Sequence, residues 1–123
     1  LFVEDSKFFM NIEQSYLTSA GYQVLTATHG QEALDVLEHQ PVDVVVTDID
    51  MPYCNGYELT QALKKRADWQ HIPVMAVTSL SGEEDRRKGM AAGIDEYKIK
   101  LDREEVLRAL EQLLLRTRKR GDV

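Results

Sequence analysis

Five residues of this 123-residue chain have side chains that do phosphorus chemistry when gathered: Glu4, Asp5, Asp48, Thr78 and Lys100. Each stands where a short apolar run ends. Glu4-Asp5 follows Leu1-Phe2-Val3, Asp48 follows Val42-Asp43-Val44-Val45-Val46-Thr47, Thr78 follows Pro73-Val74-Met75-Ala76-Val77, and Lys100 follows Glu96-Tyr97-Lys98-Ile99. Brought together, the three acids carry −3 against the +1 of Lys100. A partly desolvated pocket holding a net −2 would force its carboxylates to protonate unless a cation joined them. An all-oxygen donor set without histidine or thiolate favours a hard ion, Mg²⁺. Asp48 is then available as a carboxylate nucleophile toward phosphorus. The cation and Lys100 would neutralise equatorial oxygens and the Thr78 hydroxyl would donate to another, giving an acyl phosphate.

These residues meet only if the fold delivers the ends of several runs to one place. Short β-branched runs alternate with longer amphipathic stretches, and five such pairs give about 25 residues each, the size of a strand plus a crossover helix. The first run reads as a buried strand, with no initiator methionine and no turn before it, so its start looks clipped. Ser6 can cap a helix over Ser6 to Ala20, with Phe9, Ile12, Tyr16, Leu17 and Ala20 at helical spacing and Gly21 as the stop. Tyr22 to Ala27 is a second strand, and Gln31 to His39 a second helix with Ala33, Leu34 and Leu37 inward, ended by Pro41. Val42 to Thr47 reads as a central strand, followed by the loop Asp50 to Gly56 and a third helix through Leu59, Ala62 and Leu63. Pro73 to Val77 is a fourth strand. Gly82 to Gly93 is a polar fourth helix with few apolar residues to anchor it. Glu96 to Ile99 is a fifth strand, and Asp102 and Glu105 are spaced as a capping box for the last helix.

This pattern predicts an α/β domain: a doubly wound, five-stranded parallel sheet. In the order 2-1-3-4-5 the carboxyl ends of strands one, three, four and five are neighbours. Strand five then ends about 10 Å from strand three, a gap that a lysine side chain can span. One domain over residues 1–115 with a basic tail at 116–123 is expected, since the length suits a single core.

Composition limits the partners. With 15 Lys+Arg against 21 Asp+Glu the formal charge is −6, a poor match for nucleic acid or anionic lipid. No apolar run approaches the roughly 20 residues of a membrane span. The single cysteine, Cys54, cannot form an internal disulfide, which favours a reducing, cytoplasmic setting. His29, His39 and His71 are scattered and suggest neither zinc nor a histidine relay.

Phe2-Val3-Glu4-Asp5-Ser6, Val46-Thr47-Asp48-Ile49-Asp50-Met51-Pro52, Gly56, Val77-Thr78-Ser79 and Tyr97-Lys98-Ile99-Lys100 together resemble the CheY-like receiver domain of two-component response regulators. The resemblance covers nearly all of the chain. It implies a flavodoxin-like (βα)5 fold and phosphorylation of Asp48 by a phosphohistidine donor, a histidine kinase or histidine phosphotransfer domain. It further implies Mg²⁺ on Asp5, Asp48 and the Asp50 backbone carbonyl with Glu4 assisting, a Thr78/Tyr97 switch, and a protein output partner engaged through helix four, strand five and helix five. Asp5-Ser6-Lys7-Phe8-Phe9 and Lys100-Leu101-Asp102-Arg103-Glu104 are similar to the receiver at the C-terminus of hybrid chemotaxis-type histidine kinases. Most receivers follow the lysine with proline. Here Leu101 stands in its place, and because a cis bond before leucine costs about 2.5 to 4 kcal/mol, a trans Lys100-Leu101 peptide is expected.

Other readings compete. A calcium loop starting at Asp48 would need glycine sixth and glutamate twelfth, where Tyr53 and Leu59 stand. A small phosphatase resembling the haloacid dehalogenase family would carry Asp-x-Asp on its first strand, whereas here a whole β-α-β-α precedes it. A docking module that keeps the acids without being phosphorylated is the remaining alternative. Taken singly, Thr78 is a turn residue, Tyr97 a packing residue, Cys54 a loop residue and Lys100 a surface lysine. Trp69 is expected at a sheet edge, and Arg116 to Arg120 as a solvated helix end.

Overall fold

The computed structural model describes residues 1–100 and 102–121, with side chains as far as Arg116. Five strands and five helices alternate strictly: β1 (Phe2–Val3), α1 (Lys7–Ser19), β2 (Thr26–Ala27), α2 (Gly30–His39), β3 (Val45–Thr47), α3 (Gly56–Lys65), β4 (Val74–Thr78), α4 (Glu83–Ala92), β5 (Glu96–Ile99) and α5 (Arg103–Gly121). All pairings are parallel and the sheet order is β2-β1-β3-β4-β5. The doubly wound architecture therefore has the order expected from the sequence.

Strand alternation sends successive side chains to opposite faces of the sheet. Val3, Val45, Val74 and Ala76 face one core, packed beneath α2, α3 and α4 with Leu37, Leu59 and Leu63. Phe2, Val46, Met75 and Val77 face the other, beneath α1 and α5 with Tyr16, Leu17, Val106 and Leu110. Both faces are covered, which is why these strands read as unbroken apolar runs rather than alternating ones.

Two strands are shorter than their β-branched stretches. The expected Tyr22 to Ala27 and Val42 to Thr47 pair only as Thr26–Ala27 and Val45–Thr47. Both are neighbours of β1, which pairs Phe2 with Thr26 and Val46 and Val3 with Ala27 and Thr47. β3 begins level with its other neighbour, β4: Val45 pairs with Val74, and Val45 N donates to Pro73 O at 3.0 Å.

The helices start and stop for local reasons. Ser6 Oγ accepts from Phe9 N and caps α1. The reciprocal capping box belongs to α3: Glu58 N donates to Asn55 Oδ1 at 2.9 Å and Asn55 N to Glu58 Oε1 at 3.1 Å. At α5 only half of the expected box forms. Asp102 Oδ1 accepts from Glu105 N at 3.4 Å, but the Glu105 carboxylate turns away to Lys98 Nζ at 2.8 Å, a charged donor that outcompetes a backbone amide. Gly93 ends α4 with φ +109°, a left-handed turn that glycine alone adopts cheaply.

Two further placements differ from expectation. On α1 it is Glu13, not Ile12, that turns inward: Glu13 is 1% exposed and Ile12 36%. Helix phase explains this, because Glu13 lies three and four residues before the buried Tyr16 and Leu17. Trp69 is buried in the α2–α4 core, with the Arg66 guanidinium 3.5 Å from its ring centroid. The backbone of α5 continues through the basic cluster to Gly121. The expectation for the Lys100-Leu101 peptide falls on Leu101, outside the described residues.

Candidate functional site

The carboxyl ends of β1, β3, β4 and β5 form one rim, and four separated pieces of sequence meet there. β1 delivers Glu4 and Asp5, β3 delivers Asp48, β4 ends at Thr78 and β5 leads to Lys100. Carboxylate oxygens of Glu4, Asp5 and Asp48 lie within 4.8 Å of one another. Glu4 and Asp48 are buried and Asp5 is exposed, so the cluster has a closed floor and an open mouth.

Lys100 spans the sheet as its length allows. Its Nζ lies 2.9 Å from Asp48 Oδ2 and 2.7 Å from Glu4 Oε1, with the side chain only 6% exposed. The second oxygen of each acid is held by main chain: Asp48 Oδ1 accepts from Ile49 N at 2.7 Å and Glu4 Oε2 from Ser6 N at 3.0 Å. The Lys100 ammonium meets Glu4 Oε1 off hydrogen-bond alignment, so this oxygen has an ion partner but no directed donor.

The electrostatics follow from burial. Burial alone would lower Lys100, but its contacts with Glu4 and Asp48 and their charges outweigh it and hold the ammonium above its ordinary value. Burial pushes the Glu4 carboxyl up, opposed by Lys100 and the Ser6 amide, and the Asp48 charge adds to the rise. One lysine therefore does not satisfy three acids. The oxygen-only donors, the excess negative charge and the undirected Glu4 oxygen fit a hard divalent cation.

The family model of the response regulator receiver domain matches residues 1–111. The chain belongs to the response regulator receiver family. It is 35% identical over 116 residues to a probable transcriptional regulator, ycf27, of Cyanidium caldarium, covering 94% of this chain and 45% of that one. The chain thus spans less than half the length of that relative. The receiver domain of a signal transduction histidine kinase from Syntrophus aciditrophicus superposes with TM-score 0.85 at 30% identity, covering 92% of this chain and 86% of that one. The receiver domain of sensor histidine kinase PA1611 from Pseudomonas aeruginosa PAO1, with a magnesium ion coordinated in its active-site cleft, superposes with TM-score 0.84 at 27% identity, covering 92% and 93%. This is a receiver of two-component signalling, a class that takes phosphoryl groups from histidine kinases, binds Mg²⁺ in an acidic cleft and passes the signal to output partners.

Within this receiver, Thr78 and Tyr97 are linked through one residue of the β4–α4 loop. Leu80 N donates to Thr78 Oγ1 at 3.2 Å, and Tyr97 Oη donates to Leu80 O at 2.7 Å. Both side chains are buried, and the Tyr97 ring packs inward against the α2–α4 core. Using its lone pair on Leu80 leaves the Thr78 proton free for another acceptor. Asp50 is exposed and its side chain stands outside the carboxylate cluster. No helix among the described residues is long and apolar enough to cross a membrane.

Two residues that the sequence reading passed over border the site. The Phe9 ring centroid lies 4.0 Å from Lys100 Nζ. Glu13 is fully buried, and neither of its oxygens has a hydrogen-bond partner. Burial, then the charge of Glu4, pushes its carboxyl up to about 8, so it is mostly protonated at neutral pH. From the sequence Phe9 reads only as a core position, whereas Glu13 carries a legible signal: an acid on the apolar stripe of an amphipathic helix.

Proposed function

We propose that this receiver is a phosphorylation switch whose acceptor is Asp48. The observation that carries this reading is the Glu4–Lys100–Asp48 ion cluster with Asp5 at its mouth, because it sets a carboxylate nucleophile among the charges that phosphoryl transfer needs. An Asp48 carboxylate oxygen attacks phosphorus of a phosphohistidine donor, the P–N bond breaks, and its electron pair returns to the imidazole. Lys100 turns from the carboxylates to a phosphoryl oxygen, and the Thr78 hydroxyl donates to another. Mg²⁺, held by Asp5, Asp48 and the Asp50 carbonyl with Glu4 assisting, would supply charge neutralisation at the phosphoryl oxygens.

The signal then leaves through the Thr78–Leu80–Tyr97 link. Drawing Thr78 toward a phosphoryl group disturbs the loop segment that also receives Tyr97, and the face formed by α4, β5 and α5 is where that disturbance reaches a protein partner. The setting is cytoplasmic. The resemblance to histidine-kinase receivers favours a module fused to a kinase, with the donor a histidine kinase or histidine phosphotransfer domain.

Acetyl phosphate with Mg²⁺ should add about 80 Da to the wild-type chain by intact-mass measurement and nothing to Asp48→Asn. Equal labelling of that variant would remove Asp48 from the role. Cation binding without any labelling would favour a constitutive docking module.

A further inference from the structure

The Lys100 ammonium is enclosed by a ring of contacts that begins and ends on Glu4. Glu4 Oε1 lies 2.7 Å from Lys100 Nζ, and Glu4 Oε2 accepts from Ser6 N. Ser6 Oγ accepts from Phe9 N, fixing the first turn of α1. The Phe9 ring, steadied at its edge by Phe8 with ring centroids 5.2 Å apart, closes the circuit against Lys100 Nζ at 4.0 Å. We infer that Phe9 is a positioning residue for Lys100, holding the ammonium on its ring face while the carboxylate partners of Lys100 change.

The need for such a contact follows from what the other partners do. Asp48 and Glu4 are the two anions on Lys100, and both are committed elsewhere when phosphorus and a cation arrive. As their charge is drawn away, a lysine on a flexible four-carbon stem gains rotamers, and its placement becomes entropically costly. The aromatic quadrupole attracts the cation whatever the carboxylates are doing, and it does so most strongly out of water, where the 6% exposure of Lys100 places it. The backbone that carries the ring is held to the same cluster, because the Phe9 amide donates to the Ser6 cap and the Ser6 amide to Glu4. If Phe9 were only an apolar cover, leucine would serve as well.

Phe9→Leu and Phe9→Tyr separate these roles, and the first measurement needs neither phosphate nor metal. The ε-methylene protons of Lys100, followed by NMR, should be shifted upfield by the ring current in the wild type and in Phe9→Tyr, and should return to the free-lysine position in Phe9→Leu. The second measurement rests on Asp48 being the acceptor. Labelling by acetyl phosphate should slow about tenfold in Phe9→Leu, with Mg²⁺ affinity within about twofold of wild type, and recover in Phe9→Tyr. Lys100 signals that are the same in the wild type and Phe9→Leu would overturn the inference, as would equal slowing by Leu and Tyr. A wild type that fails to label while the ring-current shift is present would refute the acceptor role of Asp48 and leave the Phe9 contact supported.

Discussion

The two faces of the sheet do different work. Beneath α1 and α5 the apolar layer gives way, toward the carboxyl rim, to Glu4, Asp48, Lys100 and Glu13, all buried or nearly so. Beneath α2, α3 and α4 the layer stays apolar, and its polar contacts are hydroxyls bonded to main chain, as Tyr97 is to Leu80 and Thr60 is to Gly56. One face stores charge in a dry place, at a cost in stability. The other stores no charge but differs sharply in how its helices are held. α3 buries Leu59 and Leu63 and carries a full capping box, whereas α4 buries only Gly89 and Ala92, exposes Met90 and has no side-chain cap. Under the proposed function, phosphoryl transfer belongs where burial raises electrostatic strength, and the thinly anchored α4 is the element expected to open first.

The charged face is broken most severely by removing its cation. Lys100→Met leaves Glu4 and Asp48 buried without their counter-ion, and breaking a buried pair from one side costs about 3 to 5 kcal/mol. Urea denaturation without divalent cations should show that loss, and added Mg²⁺ should restore part of it. A loss under about 1 kcal/mol would mean that the acids are already mostly protonated and that the charge contrast between the faces is small.

Glu13 sharpens the comparison with the opposite sign. Its folded-state value is raised to about 8 from the ordinary 4.5. Between those two pH values the folded chain keeps a proton that the unfolded chain has lost, so stability falls as pH rises from about 4.5 to about 8. Glu13→Leu removes that slope. With local relaxation and water entry reducing the full effect, the variant should be more stable than wild type by about 2 kcal/mol at pH 8, with the gain shrinking toward pH 5. A gain that does not change with pH would show that Glu13 ionises without penalty.

These effects also separate what the residues reveal from what only packing decides. The five β-α units were legible because β-branched runs, Pro41 and Gly93 mark the element ends locally, and the shared rim follows from parallel winding. The lengths of β2 and β3 were not, because paired length depends on the neighbouring strands rather than on a strand's own residues, as β3 starts where Val45 meets Val74 of β4. Helix phase is a similar case: choosing Ile12 over Glu13 as the inward residue follows hydrophobicity, yet the position of Tyr16 and Leu17 on the same turn settles it. The capping box moved from α5 to α3 because Lys98, on a neighbouring strand, competes for Glu105. Of the site, Glu4, Asp5, Asp48 and Lys100 were readable as strand-end residues, whereas Phe9 came into view only through its distance from a lysine 91 positions away.

The smallest expected effect tests the loosely held helix directly. Gly82 occupies the N-cap of α4 in extended backbone, at φ −71° and ψ 151°, a conformation open to any residue, and it offers no side-chain acceptor to the first turn. A Cβ there would meet only the Asp85 carboxylate oxygen at 3.0 Å, the free end of a side chain that can swing aside. Gly82→Ser therefore adds a hydroxyl acceptor for the Asp85 amide at little steric cost, worth a few tenths of a kcal/mol over glycine, or about 0.3 kcal/mol. Global stability should hardly move. Amide hydrogen exchange within α4 should slow by up to about twofold while that of α3 stays as it was, because an opening confined to α4 responds to a local cap and a global one does not. Wild-type α4 amides exchanging as slowly as those of α3 would show that thin anchoring does not make α4 the mobile element, and the division of labour between the two faces would fail at that point.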